Sequence, residues 1–146
     1  MVATEKKKRP CLSDPRWLKR QGLVEAERVG QWVLWALPVG HEAMPSGDAR
    51  PRFAPSMHEA GEGTDGRFTI RWDDQRPFNL HWAEEVAESL RRRGREVEIH
   101  HIASAQGAQT SRSPLGTYSL ERDGELVCHH LTTDGATERM LHALDG

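Results

Sequence analysis

Between residues 80 and 90 the apolar positions Leu80, Ala83, Val86, Ala87 and Leu90 recur three or four residues apart, with Glu84, Glu85 and Glu88 among them. This spacing predicts an amphipathic helix from Asn79 or Leu80 to Arg93, one stripe against a sheet and the other face in water. Its acids come early and Arg91 to Arg93 late, which complements the helix dipole, and Gly94 is a stop. Strand-like runs flank it, Phe68 to Trp72 before and Glu96 to Ile102 after, so the three make a β-α-β unit. After an irregular stretch, Ser104 to Gly116, two alternating runs, Thr117 to Glu121 and Glu125 to Leu131, surround Asp123-Gly124, a strong hairpin signal. A final helix from about Asp134 to Leu144 has Thr133 or Asp134 as N-cap and Ala136, Met140, Leu141 and Leu144 as its apolar stripe.

The first part of the chain has a different rhythm. Asp14-Pro15 opens a short helix that runs to Gln21 and stops at Gly22; two strands follow, Leu23 to Arg28 and Gln31 to Leu37, joined at Val29-Gly30. In the second strand Trp32, Leu34 and Ala36 share one face and Val33, Trp35 and Leu37 the other, so it is expected to be buried on both sides. A hairpin that apolar needs a partner. Residues 39–66 carry Pro45, Gly47, Pro51, Pro55, Gly61, Gly63 and Gly66 with no sustained periodicity, and read as a flexible linker. The expected organisation is therefore a helix-hairpin segment over 1–38, a linker over 39–66 and an α/β domain over 67–146.

The 146 residues, 36% hydrophobic, suit one ordinary domain or a small domain with an appendage. A mean hydropathy of -0.71 and the lack of any apolar run near the length of ~20 residues that a membrane span needs point away from the membrane. A formal net charge of -2 gives no global attraction to nucleic acid. Locally the N-terminal segment is basic: Lys6, Lys7, Lys8, Arg9, Arg16, Lys19, Arg20 and Arg28 outnumber Glu5, Asp14, Glu25 and Glu27, and the lysine run reads as a solvated, disordered tail. Cys11 and Cys128 are the two cysteines and form neither a CxxC nor a zinc pattern, so a reducing cytoplasm is the expected compartment.

Candidate chemistry is sparse. Asp73 and Asp74 are an acid–base or metal-ligand pair or, more simply, an Asx-type turn. His100-His101 and His129-His130 sit in strands, where neighbours diverge, so one of each pair at most lines a shared site. Cys128 reads as a buried, unreactive thiol, and His41 and His58 as solvated. No Ser/His/Asp set, phosphate loop or zinc spacing is present, so neither catalytic residues, metal ligands nor a cofactor are assigned.

Arg76-Pro77-Phe78-Asn79 stands between a strand and a helix, and with Trp72 to Gln75 before it resembles the strand-to-helix turn of glutaredoxins and of the YoaP-like domain, found as an appendage in some acetyltransferases. Ser113-Pro114 resembles the cis-proline of that fold, and Ser119 to Val127 its following hairpin. The resemblance covers about residues 67–144 and implies a thioredoxin-like mixed four-stranded sheet with helices. Where the family carries Cys-Pro-Phe-Cys, this chain has Arg76 and Asn79, so thiol exchange is not expected. What remains is a groove formed by Arg76, Pro77, Phe78, Asn79, Ser113 and Pro114, for a peptide, a protein or a small anion.

Trp17 to Leu37 is similar to the end of the recognition helix and the wing of an ArsR-type winged helix, preceded by none of that family's earlier helices. The resemblance implies DNA contacts from Arg16, Lys19, Arg20 and Arg28. Two functions follow: a non-catalytic thioredoxin-like interaction or sensing module with a remnant wing, or an ArsR-type transcription regulator that binds DNA through its N-terminal element. An enzyme is the weaker expectation.

Overall fold

The computed structural model describes residues 1–7, 12–39, 44–61, 63–130 and 133–146; Lys8, Arg9, Cys11, His41 and Leu131 lie outside them. The chain divides into two compact units, Met1–Ala54 and Pro55–Gly146. The coarse expectation stands: the protein is mixed α/β, with two sheets and, among the described residues, four α-helices.

In the first unit, strands β1 (Val2–Glu5), β2 (Val24–Val29) and β3 (Trp32–Ala36) form an antiparallel sheet in the order β1-β3-β2, with helix α1 (Pro15–Arg20) before β2. Asp14 caps α1 by accepting the Arg16 N–H at 2.8 Å. Gly22, at φ +83°, then turns the chain toward β2, a conformation that costs glycine least. All five residues of β3 are buried, as the apolar pattern predicts. One face, Val33 and Trp35, packs on Leu18 of α1, and the Trp35 indole N–H donates to Thr4 Oγ1 at 2.9 Å.

The N-terminal residues hold a strand that the local pattern does not announce: ahead of the lysine run, Val2–Glu5 pairs in register from Val2 with Trp35 to Glu5 with Trp32. The strand holds few apolar side chains, and its backbone hydrogen bonds are satisfied by a partner some thirty residues away, which no local pattern reports. The hairpin expected as a wing is thus the inner and outer strand of a three-stranded sheet.

The stretch expected as a free linker is tied down at several of its described positions. Arg50 donates to the Glu25 carbonyl and the Phe53 N–H to the Glu27 carboxylate within the first unit. Past the division, Ser56 Oγ donates to the carbonyls of Gln109 and Ser111, and the Gly66 N–H to the Asp123 carboxylate at 2.9 Å. Polar, glycine-rich segments lack a periodic signature even when backbone and side-chain hydrogen bonds hold them.

The second unit is a four-stranded mixed sheet in the order β5-β4-β6-β7, built from β4 (Phe68–Trp72), β5 (Val97–His101), β6 (Tyr118–Arg122) and β7 (Glu125–Cys128). β4 and β5 are parallel; the other neighbours are antiparallel. Helix α2 (Asn79–Arg92) makes the parallel crossover, and α4 (Asp134–Asp145) packs beside it. Phe68, Ile70, Ala83, Val86, Ala87, Leu90, Tyr118, Leu120 and Leu141 form the core. Burying each of its larger side chains contributes about 1.5–3 kcal/mol. The opposite face of the sheet is polar: Arg71 Nε lies 3.3 Å from the buried Glu121 carboxylate, which also accepts from Ser119 Oγ.

Details depart from the pattern at the ends. The stretch 104–116, expected as irregular, contains the short helix α3 (Ala105–Gln109), capped by Ser104 Oγ, which accepts the Gly107 N–H. The last strand stops at Cys128. Leu144 of the expected stripe is 41% exposed. Asp123 and Gly124 both have positive φ, 52° and 78°, as a two-residue type I′ hairpin turn requires.

Candidate functional site

In open α/β sheets, ligands bind outside the carboxyl ends of the parallel strands, where neither crossover covers the sheet. Here that end is formed by Trp72 and His101, the last residues of β4 and β5, which are register partners, and by the turn 73–78 leading into α2. The turn is fixed from inside. Asp73 is buried; its N–H donates to the Thr117 carbonyl at 3.1 Å, and its carboxylate accepts the Gln75 N–H in an Asx turn. Asn79, 1% exposed, donates its amide to the carbonyls of Asp73, at 3.1 Å, and Thr117, at 3.0 Å. Asp73 and Asn79 therefore position the turn and are not open to a ligand.

Asp74, next along, points outward and meets His101: Oδ2 lies 2.7 Å from His101 Nε2. The imidazole is stacked on the Trp72 indole with ring centroids 4.3 Å apart. Half-exposed, the ring is thus fixed at one nitrogen by a carboxylate and along one face by an aromatic plane. An aspartate that holds one imidazole nitrogen fixes the ring's orientation and presents the other nitrogen to take or give a proton. The sequence names both residues, but separately, and it is the parallel register that brings them together.

The other expected site residues divide. Arg76, Pro77 and Phe78 are exposed, Phe78 at 68%. The Asn79 N–H donates to the Arg76 carbonyl and the Trp82 N–H to that of Phe78, so these two donors at the start of α2 are already used. Ser113 is buried, and its Oγ accepts the Leu115 N–H. No peptide bond among the described residues is cis, so the expectation of a cis Ser113–Pro114 bond is corrected. Thr117, four residues further on, is what links that turn to the 73–79 segment. Cys128 follows the unreactive reading: burial pushes its thiol up to about 11.

In the first unit, Arg16, Lys19 and Arg20 are exposed on α1, and Lys19 Nζ lies 5.7 Å from the Trp35 ring centroid. Arg28 is engaged at the strand end, its Nε and Nη2 donating to Glu25 at 2.9 and 2.7 Å. That pair holds the Glu25 carboxyl below its usual range. Among the described residues no group of three or more His, Cys, Asp or Glu is arranged to hold a metal, and no helix is long and apolar enough to cross a membrane.

Comparison with known proteins gives a distant relative. No protein-family model and no solved structure matches the chain. The relative is the uncharacterized N-acetyltransferase YoaP of Bacillus subtilis (strain 168), 26% identical over 140 residues, a match that takes in 95% of this chain. The chain spans about half, 53%, of that relative's length. This finding overturns the thioredoxin- and glutaredoxin-like reading of 67–144 and the ArsR-type reading of the first segment; the relative is YoaP itself, and the match is not confined to 67–144. With them fall the non-catalytic interaction module and the transcription regulator. Their motifs were short, and a strand-turn-helix with a proline, or a helix followed by a hairpin, recurs in many folds.

Proposed function

We propose that this chain forms part of an N-acetyltransferase. The observation that carries the reading is a match running through both units rather than through one of them, to a relative named as an uncharacterized N-acetyltransferase. Acetyl transfer from a thioester to an amine forms a C–N bond, breaks the C–S bond and moves one proton off the attacking nitrogen; the sulfur leaves as a thiolate and takes up a proton. The nitrogen must be neutral to attack. A base fixed near the acceptor is therefore the group this chemistry needs from a side chain.

His101 fits that role. Asp74 holds its Nε2, Trp72 supports its ring, and its exposure leaves the imidazole accessible to an acceptor. In this reading His101 receives the amine proton and Asp74 keeps the imidazole oriented toward the acceptor. Full-length protein incubated with acetyl-coenzyme A and a panel of primary amines is expected to release thiol and form amide above the uncatalysed rate. His101→Asn is expected to lower that rate by about a hundredfold or more. Absence of transfer to every amine refutes the function. Transfer that His101→Asn leaves unchanged refutes the role of His101.

A further inference from the structure

The surface beside this site carries an apolar patch of unusual composition. Phe78, Leu80 and Trp82 are exposed by 68, 42 and 36%, although they open a helix whose opposite stripe is fully buried. Phe78 and Trp82 are one helical turn apart and so share a face, and the His81 ring meets the Trp82 ring edge-on at 5.5 Å. Exposed aromatic side chains in a contiguous group mark a contact surface.

The charges around the patch say what kind of contact. Glu84, Glu85 and Glu88 are exposed on the same helix and form no ion pair with any described residue. The basic half of the helix is, by contrast, used within the fold: Arg92 and Arg93 bind Asp134, and Arg91 donates to the Val97 carbonyl. The helix therefore offers uncompensated negative charge next to open aromatic faces, with Glu85 one turn beyond Trp82. Ammonium groups are attracted to both, by Coulomb's law and by the quadrupole of the rings.

We infer that the face formed by Phe78, Trp82 and Glu85 docks a lysine-bearing basic peptide, the protein segment that presents the acceptor amine. The inference rests on the acetyl-transfer reading and gives its substrate class: a cationic polypeptide rather than a small neutral amine. The lysine ammonium lies over the Trp82 or Phe78 ring, its charge facing Glu85, and the next residues of the peptide run toward Asp74 and His101 at the start of the helix.

The test uses the full chain and two readouts. A fluorescein-labelled glycine–lysine repeat peptide, and the same peptide with every lysine acetylated, are titrated by fluorescence anisotropy; acetyl transfer to a small primary amine is measured in parallel. The charged peptide is expected to bind, more weakly as salt rises, and the acetylated one to bind at least about tenfold more weakly. Phe78→Ala with Trp82→Ala is expected to weaken binding about fivefold or more, and Glu85→Gln, a change of similar shape at an exposed position, about threefold. Equal affinity for the two peptides, no binding, or variants that bind like the parent overturn the docking face. Small-amine transfer without peptide binding removes the docking face and leaves the transferase. Peptide binding without transfer to any amine removes the acetyl-transfer reading, and with it the assignment of the bound peptide as an acceptor.

Discussion

Asn79→Ala tests whether the turn at the site is held from inside. The side chain is 1% exposed, and its amide donates to two main-chain carbonyls, Asp73 at 3.1 Å and Thr117 at 3.0 Å. Truncation removes both donors and opens a small cavity. Thr117 keeps the Asp73 N–H, so the loss falls mainly on the Asp73 carbonyl and on the packing. An unsatisfied buried acceptor costs about 1–3 kcal/mol, which with the weakened second bond gives about 2–3 kcal/mol for the variant. With an m-value of about 1–2 kcal/mol/M, the urea midpoint is expected to fall by about 1–2 M. Phe78→Ala, one residue earlier and largely exposed, is the matched control and should stay within about 0.5 kcal/mol of the parent. Asn79→Asp keeps the shape, loses the donors and places a second carboxylate against that of Asp73, since Asn79 Nδ2 lies 3.4 Å from Asp73 Oδ1. It should be at least as damaging at neutral pH and should recover partly as pH falls. If Asn79→Ala unfolds at the same urea concentration as Phe78→Ala, the internal tether is not what fixes the turn.

Two further predictions concern the second unit. Hydrogen bonds from Arg93, and then from Ser89, hold the Asp134 carboxyl well below the usual carboxylate range, so the stabilisation it gives is present above its unfolded value of about 3.9 and is lost as pH falls through the folded one. Asp134→Asn should accordingly be less stable than the parent at neutral pH, and urea midpoints measured in steps below pH 4 should converge; a constant gap down to strong acid would refute the linkage. Cys128, whose thiol burial pushes up to about 11, should in a Cys11→Ser background react with iodoacetamide at pH 8 far more slowly than free cysteine and reach the free rate in denaturant; rapid labelling of the folded protein would contradict its burial.

The second unit was legible because its elements announce themselves locally. The helix at 79–92 follows a stripe of five apolar residues, and the hairpin at 123–124 follows a dipeptide that few other structures favour. Strand β1 was not legible, because two apolar residues beside a lysine run look like a tail until β3 supplies the other half of their hydrogen bonds. The candidate site falls between these cases. Asp74 and His101 are both conspicuous in the sequence, yet they are 27 residues apart, and nothing in either segment states that a parallel crossover aligns the two strand ends. Asn79 was noted for a sulfur it lacks; its burial beneath the turn became visible only with Thr117 beside it. Function was the least legible, since the short motifs suggesting redox and DNA-binding relatives are backbone punctuation rather than chemistry.

The complete burial of Trp32–Ala36 has a consequence for how the first sheet chooses its alignment. A strand with one wet face is held in register by the penalty for turning its apolar set outward; a strand buried on both faces has no such penalty, since sliding by one residue exchanges one apolar surface for another. Alignment must then come from polar and geometric markers. Three are present: the Trp35 indole N–H on Thr4 Oγ1, the irregularity between Glu25 and Glu27 in β2, and the left-handed Gly30 at φ +54° between the strands. The sheet is driven together by tryptophan and leucine, and it is indexed by a threonine, a bulge and a glycine.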